Sequence, residues 1–235
     1  MTRACCKVVE LRRYTLHPGR RDELIELFDG HLVEPQEELG MHVTGQFREA
    51  GADEAFVWLR GFTSMATRRR GLEGFYGGTC WRRHRYAANA TMVDSEDVHL
   101  LEPVHLAPAW PSMGDPRVGS DAVLELTLHP VADGAPPLAH TYAEVVRPVL
   151  DELGSPPLAV LTTLDAVNDF PALPVHAHRV LVWLLRFADQ RDRDEHGRAR
   201  EGSRRWSEVQ ALLRDRGVEA PVLRELRPTS RSQLS

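Results

Sequence analysis

The feature that most constrains the fold is an internal duplication. Short stretches recur in the same order in both halves: TLHP at 15–18 and 127–130, a Leu-Gly pair at 39–40 and 153–154, VWL at 57–59 and 182–184, and a tryptophan beside arginines at 81 and 206. Ordered echoes of this kind predict two copies of one supersecondary unit, each incomplete without a neighbour.

A proline-rich segment divides the two copies. It contains Pro103, Pro108, Pro111 and Pro116; proline removes backbone donors and fixes φ, which favours an extended linker. We therefore predict four parts of the chain: a first repeat at 1–103, a linker at 104–120, a second repeat at 121–228 and a disordered tail at 229–235.

Each half has the pattern strand, helix, strand, strand, helix, strand. In the first half we predict strands at 8–14, 42–49, 56–62 and 98–101 and helices at 21–32, 65–72 and 81–92. In the second we predict strands at 123–128, 158–164, 180–187 and 222–226 and helices at 138–153 and 204–216, with Ser203 as an N-cap and Gly217 just past the end. The pattern predicts an α+β fold of two tandem ferredoxin-like repeats, whose sheets pack face to face as an α/β-barrel. The barrel could close within one chain or between two.

Composition narrows the function classes. The net charge of -5 over 235 residues gives little counterion release on nucleic acid, so we expect no nucleic-acid partner. Three cysteines, two of them adjacent, do not form a disulfide framework. The first ten residues lack a long apolar run, and no stretch is long enough to span a bilayer. We therefore expect a protein of the reducing cytoplasm, without membrane contact.

The first half resembles the NIPSNAP family. The matching residues are Glu10-Leu11-Arg12 with Tyr14, Pro18-Gly19, Val57-Trp58-Leu59, the arginines at 68–70, Trp81 and Glu102-Pro103. The resemblance covers roughly residues 7–103 and implies the dimeric α/β-barrel superfamily. Relatives by fold include cofactor-free monooxygenases of antibiotic biosynthesis, isomerases and haem-binding enzymes. It therefore implies a fold and a pocket, without fixing a reaction.

A polar row on the first strand is the first candidate site. Strand alternation places Glu10, Arg12 and Tyr14 on one face, which we expect to point at the opposite sheet or the barrel interior. A carboxylate, a guanidinium and a phenol in a row could move protons. An ion-pair ladder that stabilises the sheet is the alternative, and the one that the residues favour. His42 is a further candidate base.

The third strand supplies candidate substrate-binding residues, Trp58 and Arg60, and the predicted helix at 81–92 supplies Trp81. Trp58 alternates with Phe56, Arg60 and Phe62, which in a pocket would form an aromatic wall with one cation, although plain core packing is favoured for these aromatic residues. Arg60 needs a partner if it is buried, and Glu10 is the candidate. Aligned on the His-Pro echo, the second repeat replaces the polar row with leucines at 124, 126 and 128, which predicts one site per chain.

Histidines leave cofactor binding open. His176 and His178 lie on one side of an extended segment, a spacing that can hold a metal. No third ligand is evident nearby in sequence, so we predict no metal and no cofactor. The preferred function is a small-molecule tailoring enzyme of bacterial specialised metabolism, of oxygenase, isomerase or lyase type. A non-catalytic scaffold and a haem-binding protein are the alternatives, and a homodimer stays open.

Overall fold

Eight strands form the body of the protein. The computed structural model describes residues 6–117 and 120–234, with β1 at Val8–Leu16, β2 at His42–Glu49, β3 at Ala55–Phe62, β4 at Met92–Leu106, β5 at Val123–Val131, β6 at Ala159–Thr163, β7 at Arg179–Phe187 and β8 at Val222–Pro228. Most begin or end within a few residues of the predicted bounds. β4 is much longer than predicted at both ends.

Helices cover the outside of the strands. They are α1 at Arg21–Leu27, α2 at Val33–Glu37, α3 at Met65–Gly77, α4 at Thr79–Asn89, α5 at Ala139–Thr141, α6 at Arg147–Glu152, α7 at Gln190–Glu201 and α8 at Arg204–Asp215, with π-helical turns at Phe28–Leu32 and Tyr142–Val146. The Ser203 hydroxyl accepts a hydrogen bond from Trp206 N at 3.1 Å, which confirms the predicted cap of α8. Among the described residues, no helix combines the length and the apolar character needed to cross a membrane.

The strands close into one barrel within a single chain. The strand order is β4-β1-β3-β2 in the first half and β8-β5-β7-β6 in the second, which is the same arrangement twice. β2 pairs with β8 and β4 pairs with β6, both antiparallel, so the edges of the two sheets join. The predicted fold class is confirmed, and the barrel is complete without a second chain.

The barrel interior is filled by aliphatic side chains from both repeats. Val9 and Leu11 belong to one buried cluster with Leu124 and Leu126, whereas Tyr14 packs in a separate cluster with the helices. The expectation that the polar row of β1 faces the opposite sheet was therefore wrong: it faces the helical layer. An eight-stranded barrel has just enough room for side chains to fill it, and burying charges there would cost hydration without supplying partners.

The register of the second repeat also differs from the expectation. Arg12 pairs with Trp58 across β1 and β3, and Thr127 pairs with Trp183 across β5 and β7. Thr127 is therefore the counterpart of Arg12. The His-Pro echo misaligns the repeats because β5 runs on to Val131, which places the pair inside the strand instead of beyond its predicted end at 128. The echo places the second repeat three residues away from the register that the structure shows. Because three is an odd number, this shift assigns each residue of β5 to the opposite face of the strand.

The linker and the tail are both more ordered than expected. β4 continues to Leu106, and Trp110 is buried at 8% exposure. Past β8, Thr229 N donates to Gln46 O at 2.9 Å, and Leu234 is 2% exposed within the barrel core. The prediction of a disordered tail was wrong for 229–234, because this segment continues the backbone pairing with β2 and buries a leucine. Residues 118, 119 and 235 lie outside the described residues.

Candidate functional site

The polar row of the first repeat is a closed ionic network. The Glu10 carboxylate lies 3.0 Å from Arg12 Nη1, 2.7 Å from Arg60 Nη2 and 2.6 Å from Arg68 Nε. All four side chains are at most 1% exposed. β1 and β3 place Glu10 directly opposite Arg60, and α3 brings Arg68 over the sheet. Arg60 thus has the partner that the sequence suggested.

These arginines keep the Glu10 side chain ionised. Burial alone would raise the pKa of its carboxyl, but the charges of Arg60, Arg12 and Arg68 hold that pKa well below its usual range. Glu10 is therefore a carboxylate at neutral pH, with no proton to donate. Its oxygens are fully engaged by guanidinium groups, which is the arrangement of a structural ion network.

Further partners enclose the arginines. Arg12 Nε donates to the Tyr14 hydroxyl at 3.1 Å, and Arg60 Nη1 donates to Gln36 Oε1 at 3.0 Å. Arg68 also pairs with the Asp169 carboxylate. Asp169 belongs to the β6–β7 loop, residues 164–178, in which the Phe170 ring stacks on Tyr76 with centroids 5.9 Å apart. The second repeat thereby covers the first.

The structure brings six of the seven predicted site residues into or beside this network, namely Glu10, Arg12, Tyr14, Trp58, Arg60 and Trp81. Tyr14, Trp58 and Trp81 line a cavity of about 30 Å³, which holds no more than about two waters. His42 lies apart, with Nε2 2.7 Å from Gln233 Oε1 and Nδ1 3.6 Å from Cys6 Sγ. Catalytic and binding roles for these seven residues stay predictions.

A much larger cavity occupies the matching place in the second repeat. It has a volume of about 550 Å³, within the range of small-molecule sites. Its floor is formed by Thr127 and His129 of β5 and Trp183 of β7, and α8 adds Trp206. The residues at its rim include Arg200, Glu201, Gln210, Arg214, Glu219 and Leu223.

His129 is the most reactive group at this floor. Its Nδ1 lies 3.1 Å from Glu219 O, and its ring packs on Trp183 with centroids 4.6 Å apart. Burial lowers the pKa of His129, so the imidazole is neutral at pH 7. A neutral ring beside a carbonyl must donate from Nδ1, which leaves a lone pair on Nε2. Within the described part of the chain, Nε2 has no hydrogen-bond partner.

Two further polar atoms at the floor lack partners among the described residues, Thr127 Oγ1 and Trp183 Nε1. Buried polar groups of native proteins are normally satisfied by protein, water or ligand. Trp183 Nε1 is a donor, His129 Nε2 is an acceptor and Thr127 Oγ1 can be either, so three buried atoms beside this cavity have unused hydrogen-bonding capacity. Trp58 Nε1, which lines the first cavity, also lacks a partner, so the unpartnered atoms of Thr127 and His129 are what distinguish the second cavity from the first.

Smaller side chains and a shorter loop make the second cavity larger than the first. Arg12 and Tyr14 fill the first repeat, and the strand pairing shows that their counterparts in the second are the smaller Thr127 and His129. The β6–β7 loop, residues 164–178, covers the first cavity. Its counterpart for the second cavity is the β2–β3 connection, which spans only residues 50–54 and leaves that cavity uncovered.

Sequence reasoning missed this site because the predicted strand at 123–128 ended before His129. The alternation of residues along β5 could have indicated the site, because it places Glu125, Thr127 and His129 on one face of the strand. The same face carries a second ionic group: Glu125 lies 2.6 Å from Arg200 and 3.3 Å from Arg193, both of α7. The polar row is thus altered in the second repeat, but it is not lost.

Fold and cavity together define the class: a single-chain α/β-barrel of two ferredoxin-like repeats with a small-molecule-sized cavity between the sheet and the helices of the second repeat. Within this class, residues 9–108 match the NIPSNAP family. The first half of the chain is therefore a NIPSNAP domain, as its motifs predicted. A sequence comparison with curated proteins finds no match.

Solved structures share the whole barrel. An anthrone oxidase-like protein has a TM-score of 0.62 at 14% identity, with 96% of this chain and 93% of that one covered. A candidate monooxygenase from Lactobacillus acidophilus gives 0.60 at 13% identity, with 96% of both chains covered. One from Fusobacterium nucleatum gives 0.55 at 8%, covering 94% of this chain and 91% of that one. At such identities the likeness establishes the fold alone.

Proposed function

We propose that this protein is an enzyme that binds a planar, oxygen-bearing small molecule in the second-repeat cavity, where His129 Nε2 removes a proton from it. One observation carries the proposal: a neutral, buried histidine with an unpartnered Nε2 lies at the floor of a cavity of about 550 Å³. A general base needs an available lone pair and a pKa near or below the working pH.

The lining indicates the class of substrate. Trp183 and Trp206 are in edge-to-face contact, with centroids 6.3 Å apart, and both line the cavity, where Trp206 is 7% exposed. Planar rings pack well on such surfaces. Arg200 and Arg214 at the rim can stabilise the negative charge that deprotonation creates. A phenol or an enolisable polycyclic ketone fits this combination of aromatic walls, one base and nearby cations.

Deprotonation of an activated CH₂ group gives a carbanion, and dioxygen can oxidise such a carbanion without a protein cofactor. The carbon gains a hydroperoxide, and loss of water from it leaves a carbonyl. The balance is CH₂ + O₂ → C=O + H₂O, with one oxygen atom in the product and one in water. The names of the structural relatives, candidate monooxygenase and anthrone oxidase-like protein, support the choice of this reaction over an isomerase or a lyase.

The test is turnover of an anthrone with oxygen consumption followed by an electrode. We expect His129→Gln to lower kcat by about 10²–10⁴-fold with little change in ligand affinity, because glutamine cannot act as the base. His140→Gln, an exposed histidine on α5, is the matched control and should behave as wild type. Wild-type activity in His129→Gln would refute the role of His129. Product formation without oxygen uptake would assign an isomerase or lyase instead.

Haem binding is the second candidate, and the same Nε2 favours it, since neutral imidazole is a common axial ligand of haem iron. A haemin titration decides this point. A saturable Soret shift that His129→Gln removes would support a haem protein. Tight binding of the anthrone without any turnover would favour the remaining alternative, a ligand-binding scaffold. The cytoplasmic location and a small-molecule partner remain part of the proposal.

A further inference from the structure

Four metal-ligating side chains meet at one end of the barrel, away from both helix–sheet layers. Asp97 and His99 are alternate residues of β4, so they share one face of that strand. His176 and His178 are alternate residues at the end of the β6–β7 loop, just before β7. The two pairs are 79 positions apart in sequence, as counted from Asp97 to His176.

The ligand atoms of this cluster lie at separations close to those found around a bound metal ion. One ligand atom from each of Asp97, His99 and His176 lies within 4.8 Å of the others. His176 Nε2 is 3.0 Å from Asp97 Oδ1, and His99 Nε2 is 3.7 Å from the same oxygen. A tetrahedral ion with bonds of about 2.0–2.2 Å holds its ligand atoms about 3.4 Å apart.

His178 adds a fourth donor beside these three. Its ring centroid is 5.1 Å from that of His99 and 4.6 Å from that of His176. Two imidazoles contact the Asp97 carboxylate and a third packs on both of their rings, which is more than a single ionic hydrogen bond requires.

We propose that Asp97, His99 and His176, with His178 as the fourth ligand, bind a first-row divalent transition-metal ion of the Zn²⁺ class. Imidazole nitrogen with one carboxylate oxygen is a donor set for such ions, in contrast to the all-oxygen sets of Ca²⁺ and Mg²⁺. The sequence alone gave only the His176–His178 pair and no third ligand. The barrel supplies the missing donors from β4.

The backbone holds the ligands in place before any ion arrives. Asp97 and His99 are fixed by pairing with Arg13 and Leu11 of β1. His176 N donates to Val98 O at 2.8 Å, which ties the loop to β4 between the two strand ligands. Ordering costs on binding are therefore small for the first three ligands.

The site lies where the β6–β7 loop meets the barrel, so a bound ion would fix the position of this loop. The same loop carries Asp169, which pairs with Arg68, and Phe170, which stacks on Tyr76. An ion bound at the far end of the loop would hold that cover over the first repeat. All four of these side chains line a small cavity of about 120 Å³ beside the cluster: Asp97, His99, His176 and His178.

The experiment uses tag-free full-length protein, stripped with a chelator and titrated with Co²⁺ while its visible d–d bands are recorded, and with Zn²⁺ by calorimetry. We expect one ion per chain. His176→Gln and His178→Gln are conservative changes at a half-buried and an exposed position. Each should weaken binding by at least about 100-fold, which exceeds the loss typical of an outer-sphere partner. His105→Gln, a histidine elsewhere on β4, is the matched control and should bind as wild type.

Hydrogen exchange supplies a second readout. Bound Zn²⁺ should slow amide exchange in the loop at 164–178 of the wild type but not in His176→Gln. Sub-stoichiometric binding, or equal losses in His105→Gln and His176→Gln, would overturn the proposal as adventitious metal only. Because this site shares no residue with the second-repeat cavity, its failure would leave the proposed reaction untouched.

Discussion

Glu10→Gln is the sharpest perturbation of the first-repeat network. The change keeps the shape of the side chain and removes the one fully buried negative charge that faces Arg12, Arg60 and Arg68. Asp169, which pairs with Arg68, is then the carboxylate that remains at this network. Removing one partner of a buried ion pair costs about 3–5 kcal/mol. At about 2–4 °C per kcal/mol for a chain of this length, the Tm should fall by about 6–20 °C.

Urea unfolding followed by circular dichroism measures this loss. The matched control is Glu125→Gln, whose partners Arg193 and Arg200 are 28% and 15% exposed. Water can rehydrate those arginines, so we expect a smaller loss of about 1–2 kcal/mol. A loss below about 1 kcal/mol for Glu10→Gln, on the scale of an exposed pair, would refute the assignment of this network as the structural centre of the first repeat.

The pH dependence of the same variant checks the cause. The pKa of Glu10 is lowered in the folded protein, so its contribution is fully present above the usual value of 4.5 and is lost as the pH falls below it. The stability gap between wild type and Glu10→Gln should therefore narrow below pH 4.5. A gap that stays constant into acid would mean that packing, and not charge, sets the loss.

Two further predictions concern the second repeat and the tail. Since burial lowers the pKa of His129, kcat/KM should be constant at neutral pH and fall only below the usual histidine value of 6.5; a pH–rate profile with its limb above that value would contradict the role of His129 as base. Deleting residues 229–235 removes the burial of Leu234 and backbone bonds to β2. We expect a loss of about 2–4 kcal/mol in urea unfolding, and wild-type stability would contradict the packed tail.

The sequence predicted the fold where local chemistry decides it. Alternating residues specified the extent of β1 to within two positions, and Ser203 with Gly217 set the ends of α8. α7 was missed because its twelve residues are almost all polar and show no apolar stripe. A helix of that kind is held by tertiary ion pairs such as Arg200 with Glu125, which sequence periodicity does not reveal.

The candidate site was less accessible from sequence for two physical reasons. Alternation separates the faces of a strand but does not say which face is inside, so Glu10 was assigned to the wrong layer. Register depends on strand length, and a three-residue error at the His-Pro echo hid His129. The histidine cluster needed a third kind of information, because only the closed barrel brings Asp97 beside His176.

The central claim is that the second-repeat cavity binds the substrate, and calorimetric titration with an anthrone tests it most directly. Gln210→Trp fills the cavity from an exposed position of α8, and Glu208→Trp places the same bulk on that helix outside the cavity. We predict one ligand per wild-type chain, at least about tenfold weaker binding in Gln210→Trp, equivalent to about 1.4 kcal/mol, and unchanged binding in Glu208→Trp. Equal affinity in all three proteins would place the ligand elsewhere and contradict the account.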